Sequence, residues 1–352
     1  MAGRLKLRRG VVVSADPLEV EVSGERRRAW ADEILLGEMR EGDEVVVNVA
    51  ALDLGLGSGG FDVVHVNLTR GLKGSGVEDD AHVMKLNYTS LQHPVEPVER
   101  PDVRLFLSGA AQRKGTDEGG EGAAVVVLPL HGHLAPAAWA VAEAAPGLRV
   151  GYLQTGGGAL PGSMSRDVRE LRERGLLSGH ITAAPAYGGD YEALSTVGAL
   201  DAAAGLGWDV VLAGPGPGII GSETAFGHGG MAALDAAHAA LALDLPTLIS
   251  PRLSSSDPRG RHLGLSHHTR TVLELLLAEA EVAVPEGEAE IAEALGSFRH
   301  RILAAPVDLD GYGASGLPTT TMGRSLSEDP LFFAAPLAAG TALARSLADQ
   351  GL

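Results

Sequence analysis

The chain has no cysteine and little positive charge, and both features limit what it can do. Without cysteine there is no disulfide framework, no thiolate nucleophile and no cysteine-ligated zinc or iron–sulfur cluster. The 28 Lys and Arg residues against 45 Asp and Glu give a formal net charge of −17, which repels nucleic-acid phosphates and anionic membranes. We therefore expect no nucleic-acid or membrane partner, and any anionic ligand must be bound by locally concentrated positive charge.

The chain is long and apolar enough for more than one core. It has 352 residues with 45% hydrophobic content, which suits one large core and a smaller one. Met1–Gly10 is basic and leads into a β-like segment rather than an apolar signal core, so we expect a soluble, cytoplasmic protein. An apolar helix around Glu328–Leu347 is expected to pack either on a sheet or on another subunit of a homo-oligomer.

The first part of the chain is typical of a small antiparallel barrel. Residues 4–92 have no long helical period, and β-branched residues cluster between turn signals at Leu5–Val13, Leu18–Val22, Glu44–Val49 and Phe61–Asn67. Prolines then alternate with charged residues over His93–Pro101, a composition that extends the chain. The sequence predicts a β-barrel-like domain over residues 1–93, a proline-rich linker over 94–101 and an α/β domain over 102–352.

Beyond the linker, apolar strand candidates alternate with mostly alanine-rich helical segments. Strands are expected at Val103–Leu107, Ala124–Leu128, Arg149–Leu153, Ile181–Ala184, Val210–Ala213, Thr247–Ile249, Val282–Val284 and Ile302–Ala304. This alternation predicts parallel βαβ units in an open, doubly wound sheet, with a closed α/β barrel as the alternative. Both architectures place ligands at the carboxyl ends of the strands, where the unusual loops lie.

Glycine-rich loops follow several of the predicted strands. We expect their backbones to approach a ligand closely, because glycine permits unusual backbone conformations and the following helix N-termini offer free amides to an anion. The predicted ligand-binding residues of these loops are Thr155, Gly156, Gly157, Gly158, Gly188, Gly189, Gly214 and Gly216. The long loop Gly214–Gly230 does not match the dinucleotide fingerprint, because its prolines remove the amide donors that the cofactor would use.

Some ionisable residues in these loops are candidates for catalysis or metal binding. His131 and His133 lie two residues apart after a strand, where an extended backbone would turn both side chains to one face. They could instead cap a helix or donate structural hydrogen bonds. Asp190 is a candidate general base, or only the N-cap of the next helix. A divalent metal held by His131, His267, His268 and Asp190 is feasible, since nitrogen and oxygen ligands need no cysteine.

The densest group of ionisable residues lies in Ser250–Thr271. Arginines and histidines concentrate there in an otherwise acidic chain, which indicates a small anionic ligand; the alternative is that the arginines pair with carboxylates elsewhere. The predicted anion-binding residues are Arg259, Arg261 and His262. We expect Ser266 to cap a helix, with His267 and His268 at its positive end as proton-transfer residues.

Four motifs together identify a family resemblance. They are Gly151–Pro161, Tyr187–Ala193, Gly214–Gly216 and Asp257–Thr269. In this combination the chain resembles a family of uncharacterised, mainly actinobacterial proteins known as a domain of unknown function, over nearly its whole length. The resemblance implies family membership and no activity. From the residues themselves we expect an enzyme that acts on a small anionic metabolite by transfer or hydrolysis, with a non-catalytic sensor or binding protein as the alternative.

Overall fold

The structure is a computed structural model that describes residues 4–56, 59–72, 81–99 and 123–349. The chain divides into two compact units, Met1–Glu96 and Pro97–Leu352. The expected strand Val103–Leu107 lies outside the described residues.

The first unit contains a small closed barrel, as the sequence predicts. Its elements are β1 (Leu7–Ala15), β2 (Leu18–Val22), β3 (Glu25–Trp30), α1 (Glu33–Leu36), β4 (Glu44–Asn48), α2 (Ala50–Asp53) and β5 (Asp62–Asn67). The barrel order is β1-β2-β3-β5-β4, and its pairs are antiparallel except β3 with β5, which is parallel. Buried valines on alternate positions of β2 and β4 fill its interior, which accounts for the period of two in the sequence.

The sequence pattern does not predict β3, which is mostly charged and has no fully buried residue. Ion pairs stabilise this strand instead. Arg27 binds the buried carboxylate of Asp62 at 2.6 Å, and Arg26 pairs with Glu19 on the neighbouring β2. A strand of this kind has no alternation of apolar residues, which is why a hydrophobic period misses it.

The proline-rich stretch is hydrogen-bonded on both sides of the boundary between the units. The last elements of the first unit are β6 (Val83–Lys85) and β7 (His93–Val95), which form a two-stranded antiparallel sheet. Part of the expected linker is therefore a strand. In the second unit, Glu99 accepts hydrogen bonds from the backbone of Leu194 at 2.9 Å and of Ser195 at 3.1 Å.

The second unit is built on an eight-stranded parallel sheet. The sheet strands are β8 (Ala124–Val127), β9 (Val150–Thr155), β10 (Gly179–Ala183), β11 (Tyr191–Ala193), β12 (Val210–Pro215), β13 (Thr247–Ile249), β16 (Glu281–Pro285) and β17 (Arg301–Ala305). Two short ribbons are β14 (Leu253–Ser254) with β15 (Gly264–Leu265), and β18 (Thr320–Thr321) with β19 (Arg324–Ser325). The helices are α3 (Leu134–Ala144), α4 (Arg166–Glu173), α5 (Thr196–Gly205), α6 (Ala232–Ala242), α7 (His267–Leu275), α8 (Ala289–Leu295), α9 (Leu309–Ala314) and α10 (Pro330–Asp349).

The sheet is open and has helices on both faces, as expected for a doubly wound fold. Its order is β11-β10-β9-β12-β8-β13-β16-β17, so β11 and β17 are edges and the alternative of a closed barrel does not apply. Helices α5, α6, α7 and α8 contribute to the core on one face, and α3, α4 and α10 to the core on the other. Because both faces are covered, β8 is buried along its whole length and reads as a continuous apolar run.

The strand order creates a crevice beside β8. The chain leaves β8 through α3 toward β9 on one side, whereas it leaves neighbouring β13 toward β16 on the other side. At such a switch point the two connections diverge and leave space outside the carboxyl ends of the strands, where ligands bind in open α/β sheets. The loops after β8, β12 and β13 meet at this edge.

The C-terminal helix α10 is long and apolar enough, by length and composition alone, to cross a membrane. However, 67% of its most apolar 18-residue window is buried within the fold, which makes it weak evidence for a membrane span. The helix packs closely on α3: a Cβ added at Gly340 would lie 2.5 Å from the carbonyl oxygen of Ala137 and 2.8 Å from Ala140 Cβ. It is therefore a core helix of this unit.

This contact generates a stability prediction. Gly340→Ala should lower the free energy of unfolding by about 1–3 kcal/mol, because the added methyl group forces α10 away from α3. The control is Gly313→Ala in α9, where no described atom lies within 4 Å of the added Cβ and the better helix former should stabilise by up to about 1 kcal/mol. Urea unfolding measures both, and equal effects of the two substitutions would contradict the close packing.

Candidate functional site

A cavity of about 470 Å³ lies at the switch point. Its wall combines the loops after β8, β12 and β13 with residues of the β18–β19 ribbon. The polar residues that line it are His131, Glu223, Thr224, His228, Arg252, Arg259, Arg261, His262, His267, His268 and Thr321. This volume suits a small metabolite. The structure therefore brings all five residues predicted from Arg259 to His268 to one site.

Four imidazole rings are in mutual contact in this cavity. The rings of His228 and His268 stack at 3.6 Å between centroids, and the ring of His267 lies 4.4 Å from that of His268. His262 is 4.8 Å from both His267 and His268. Adjacent positions on α7 supply His267 and His268, whereas His228 comes from the end of the long loop after β12. This loop therefore contributes directly to the site.

The N-terminus of α7 positions the cluster. Ser266 is the N-cap, as predicted, and its Oγ accepts a hydrogen bond from the backbone N–H of His268 at 3.2 Å. The same Oγ lies 2.7 Å from Nδ1 of His262. One buried serine thus sets both the start of the helix and the orientation of the His262 ring.

The histidines are held in their neutral form. Burial, and then the positive charge of Arg252, lowers the pKa of His262 to about 3. Burial, then His228 and Arg252, lowers the pKa of His268 to about 2. Burial also lowers the pKa of His228 and of His267. Near neutral pH the imidazoles therefore offer lone pairs instead of positive charge.

The positive charge of the cavity comes from arginines gathered around Asp257. Arg259 binds this buried carboxylate with Nε at 2.9 Å and Nη2 at 2.8 Å, and Arg252 approaches it at 3.4 Å. Arg324 lies 3.7 Å away. Burial alone would raise the pKa of Asp257, but the hydrogen bonds from Arg259 hold it well below its usual range. Arg324 pairs more closely with the buried carboxylate of Asp329, at 2.9 Å, so Asp257 mainly offsets part of the charge of Arg259 and Arg252.

Arg261 has a weaker partner. It contacts Glu223 at 3.3 Å, and the Glu223 side chain is 77% exposed. An exposed ion pair of this kind contributes about 0–1 kcal/mol, so the guanidinium can exchange it for a ligand. Arg252 points its Nη1 at Nδ1 of His268, 3.1 Å away. The two predicted arginines therefore differ: Arg259 is engaged with Asp257, whereas Arg261 is available to an anion.

The predicted glycine loops pack against one another. A Cβ at Gly157 would collide with the carbonyl of Gly229, and one at Gly158 with the carbonyl of Gly216, while Ala159 N donates to Pro217 O at 2.7 Å. Gly216 and Gly214 are similarly confined, by Ala159 and Leu128. These glycines permit close approach between loops, and Gly157 and Gly158 also border a second cavity of about 580 Å³ that shares His228.

The other predicted ligand-binding residues also make local contacts. Thr155 donates to the carbonyl of Gly156 at 3.1 Å, Gly188 N donates to Glu192 at 2.6 Å, and Gly189 N donates to Thr182 at 3.2 Å. The backbone N–H groups of Gly188 and Gly189, which were expected to bind an anion, are therefore used within the fold.

Asp190 does not line the histidine cavity. Its carboxylate accepts a hydrogen bond from the backbone N–H of His180 at 3.0 Å and pairs with Arg172 at 3.1 Å. The chain runs from β10 straight back to a parallel β11 without a helix between them, so Asp190 lies beside the start of β10. This return path separates it from His267 and His268, contrary to its predicted role in the same site.

His131 and His133 turn to different partners, so they do not form the expected pair of ligands. The segment His131–His133 is a 3₁₀ turn, in which residues two apart do not share a face. His131 contacts Ser165 at 2.7 Å and Tyr152 at 3.3 Å, and burial lowers its pKa. His133 contacts Ser250 at 2.9 Å. These contacts are structural hydrogen bonds, as in the alternative interpretation, although His131 also lines the histidine cavity.

The expectations for catalysis and metal binding left out residues that the structure places at the site. His228 is not among the residues expected for catalysis or metal binding, because its loop has no spacing that ties it to His267. Asp257 lies two residues before Arg259, and this Asp-x-Arg spacing is a signal that could have indicated the ion pair. Met322 comes from the distant β18–β19 ribbon and approaches Arg259 with its sulfur at 3.6 Å; no local pattern predicts that.

Fold and site define an α/β protein whose histidine–arginine cavity lies at the carboxyl edge of an open parallel sheet. The chain belongs to the family described as "Protein of unknown function (DUF3866)", whose model matches residues 28–340. No curated protein and no solved structure matches it. The predicted family membership is confirmed, and it assigns no activity.

Buried His133 generates a prediction about pH. Burial lowers its pKa to about 3, so between that value and an unfolded-state pKa of about 6.5 only the unfolded chain takes up the proton. The contribution of neutral His133 to the free energy of unfolding is fully present above about pH 6.5. It is lost as pH falls, at about 1.4 kcal/mol per pH unit. His133→Asn, which can retain the contact with Ser250, should reduce the slope of unfolding free energy against pH by that amount. Urea unfolding at about pH 6 and pH 5 gives the change in unfolding free energy with pH for each protein. An equal change in the wild type and in His133→Asn would contradict the prediction.

Proposed function

We propose that the protein is an enzyme that hydrolyses a small anionic metabolite or transfers a group from it, in the histidine–arginine cavity. The observation that carries this proposal is the presence of Arg252, Arg259 and Arg261 together with four neutral imidazoles in one metabolite-sized cavity of a chain with a net charge of −17. Positive charge that is concentrated at a topological switch point of an acidic chain indicates an anionic ligand.

The charge balance within the cavity supports an anionic ligand. Burial, and then the neighbouring Arg259, lowers the pKa of Arg252 to about 10, although Asp257 acts in the opposite direction. A phosphate or carboxylate near Arg252 and Arg261 would offset this positive charge. Arginine presents a planar fork of donors, which suits bidentate binding of either anion.

The imidazole nitrogens favour catalysis over binding alone. Nδ1 of His228 and Nε2 of His267 are buried and have no hydrogen-bond partner within the described parts of the chain. The buried Nε2 of His133 also lacks a partner in the described residues, but His133 does not line the cavity. Lone pairs that stay unpaired beside a cationic pocket are suited to reaction chemistry, whereas a simple sensor needs only the arginines.

We also infer the cellular compartment and the partners of the protein. The acidic chain and the burial of α10 fit a soluble protein in the cytoplasm, without nucleic-acid or membrane partners. Because α10 packs within its own unit, any homo-oligomer would use another surface.

The test of the proposed anion site is a thermal-shift screen of chelator-treated protein with phosphorylated and carboxylated metabolites. Arg261→Ala should weaken binding of the best hit by about 1.5–3 kcal/mol, or about 10- to 150-fold in Kd, because one charge-assisted contact is lost. The protein should otherwise fold normally, since the pair with Glu223 is exposed. Arg259→Ala should mainly lower stability without ligand, because Asp257 loses its bidentate partner.

The matched control is Arg166→Ala on α4, an exposed arginine that does not line the cavity. It should bind the hit as the wild type does. Equal stabilisation of the wild type, Arg261→Ala and Arg166→Ala by every hit would refute the anion site. Binding without turnover of any hit, both in the chelator-treated protein and after addition of divalent metal ions, would favour the non-catalytic sensor over the enzyme.

A further inference from the structure

Three of the cavity histidines can converge on one point. His228, His267 and His268 each offer a ring nitrogen, and these atoms all lie within 4.8 Å of one another. We propose that the three histidines bind one divalent metal ion of the zinc type. The inference rests on the proposed function, whose reacting centre this ion would occupy.

His228 is oriented as a ligand. Its Nε2 lies 3.0 Å from the carbonyl oxygen of Ala225, which can only accept, so the ring proton is on Nε2. Nδ1 therefore carries a lone pair, and this buried atom has no partner among the residues that the structure describes. Histidines that bind metal ions usually donate their other ring N–H to a backbone carbonyl or carboxylate in this way.

His267 and His268 complete the set from adjacent positions of α7. Nε2 of His267 is buried and likewise lacks a partner in the described part of the chain. Nδ1 of His268 accepts from Arg252 at 3.1 Å, because a guanidinium has only donors. The lone pair on Nδ1 of His268 therefore has one partner at a time. Arg252 contacts it in this structure, and a metal ion would have to replace that contact.

His262 is not a ligand through its Nδ1, because that atom contacts Oγ of Ser266 at 2.7 Å. The space between the other rings is maintained by Gly230. A Cβ there would lie 3.0 Å from Nδ1 of His228 and 3.1 Å from Nδ1 of His268. The absence of a side chain at Gly230 thus leaves room beside the two nitrogens that the proposed ion would contact.

The ligand set selects the kind of metal. Zinc–nitrogen distances of about 2.0–2.1 Å in a tetrahedral site separate ligand nitrogens by about 3.3 Å, so the 4.8 Å limit requires small rotations of the rings. Neutral imidazoles suit zinc, cobalt, nickel or copper, whereas magnesium and calcium need oxygen ligands. Three protein ligands leave a further position for water or substrate, which is typical of catalytic zinc sites.

The site also explains why arginines and histidines share this cavity. A divalent ion adds positive charge close to Arg252, so it would strengthen the attraction for a phosphate or carboxylate. Displacement of Arg252 from His268 would free Nη1 to contact that anion. Metal and anion binding should therefore be coupled, with each increasing the affinity for the other.

The experiment titrates chelator-treated full-length protein with Zn²⁺, in competition with a chromogenic chelator, and with Co²⁺ followed by visible absorption. The wild type should bind one ion per chain, with the intense bands of four- or five-coordinate Co²⁺. His267→Ala is the main variant, because His267 is only half-buried and its loss should not unfold α7. It should weaken Zn²⁺ binding at least about 100-fold, more than is typical for loss of an outer-shell partner.

Two further variants separate ligation from general effects. His65→Ala, in β5 of the barrel, removes a histidine elsewhere and should bind Zn²⁺ as the wild type does. Arg252→Leu should bind Zn²⁺ at least about tenfold more tightly, since it removes both the competing donor and a nearby charge. A merely structural role of the histidines would not produce this gain.

Absence of a stoichiometric ion in the wild type, or equal affinity of His267→Ala and His65→Ala, would overturn the metal site. These outcomes are distinct from failure of the proposed function. Arg261→Ala should still bind Zn²⁺ normally while it loses the anion. If anion binding holds and Zn²⁺ binding fails, only the metal site is refuted; if Zn²⁺ binds and no anion does, the proposed function falls instead.

Discussion

Asp257 is the contact on which the cationic side of the cavity depends. Its buried carboxylate lies 2.8 Å from Arg259, 3.4 Å from Arg252 and 3.7 Å from Arg324, and without it these guanidinium groups would repel one another in a partly buried space. Arg324 also pairs with the buried carboxylate of Asp329 at 2.9 Å, so Asp257 is shared chiefly by Arg259 and Arg252, and its single negative charge cannot balance both. The arginines are therefore held in place by Asp257 and still attract an anion. The same part of the cavity wall places Arg252 against His268.

The fold determines where this charge can act. In the crevice between β8 and β13 the connections diverge, so the loops can turn inward without a helix filling the space. The glycines of the loops after β9 and β12 serve this arrangement by allowing backbone to pack on backbone, as Gly157 does on Gly229. Burial then keeps the imidazoles neutral although arginines surround them. Packing, charge and ligand chemistry therefore depend on neighbouring loops at the carboxyl ends of the strands.

The predictable features are those that local sequence carries. Buried parallel strands read as apolar runs, and Ser266 preceding His267 predicts a capped helix, so seven of the eight sheet strands and the start of α7 were predicted correctly. The short edge strand β11 was not predicted. Strand β3 is mostly charged, so no hydrophobic period predicts it. The glycine run at Gly156–Gly158 would have the same composition whether it binds a phosphate or packs on another loop, so its role could not be predicted. The meeting of His228 with His268 depends on tertiary packing alone, and so does the removal of Asp190 from the site.

Three imidazoles at the switch point are proposed to hold a metal ion beside arginines that bind an anion. Anomalous diffraction from crystals grown with Zn²⁺, recorded on both sides of the zinc absorption edge, tests this proposal most directly. We expect one strong peak within about 2.0–2.2 Å of Nδ1 of His228, Nε2 of His267 and a ring nitrogen of His268. We also expect Arg252 to move away from His268. A peak on other residues, or no peak in a crystal whose cavity is accessible to solvent, would contradict the proposal.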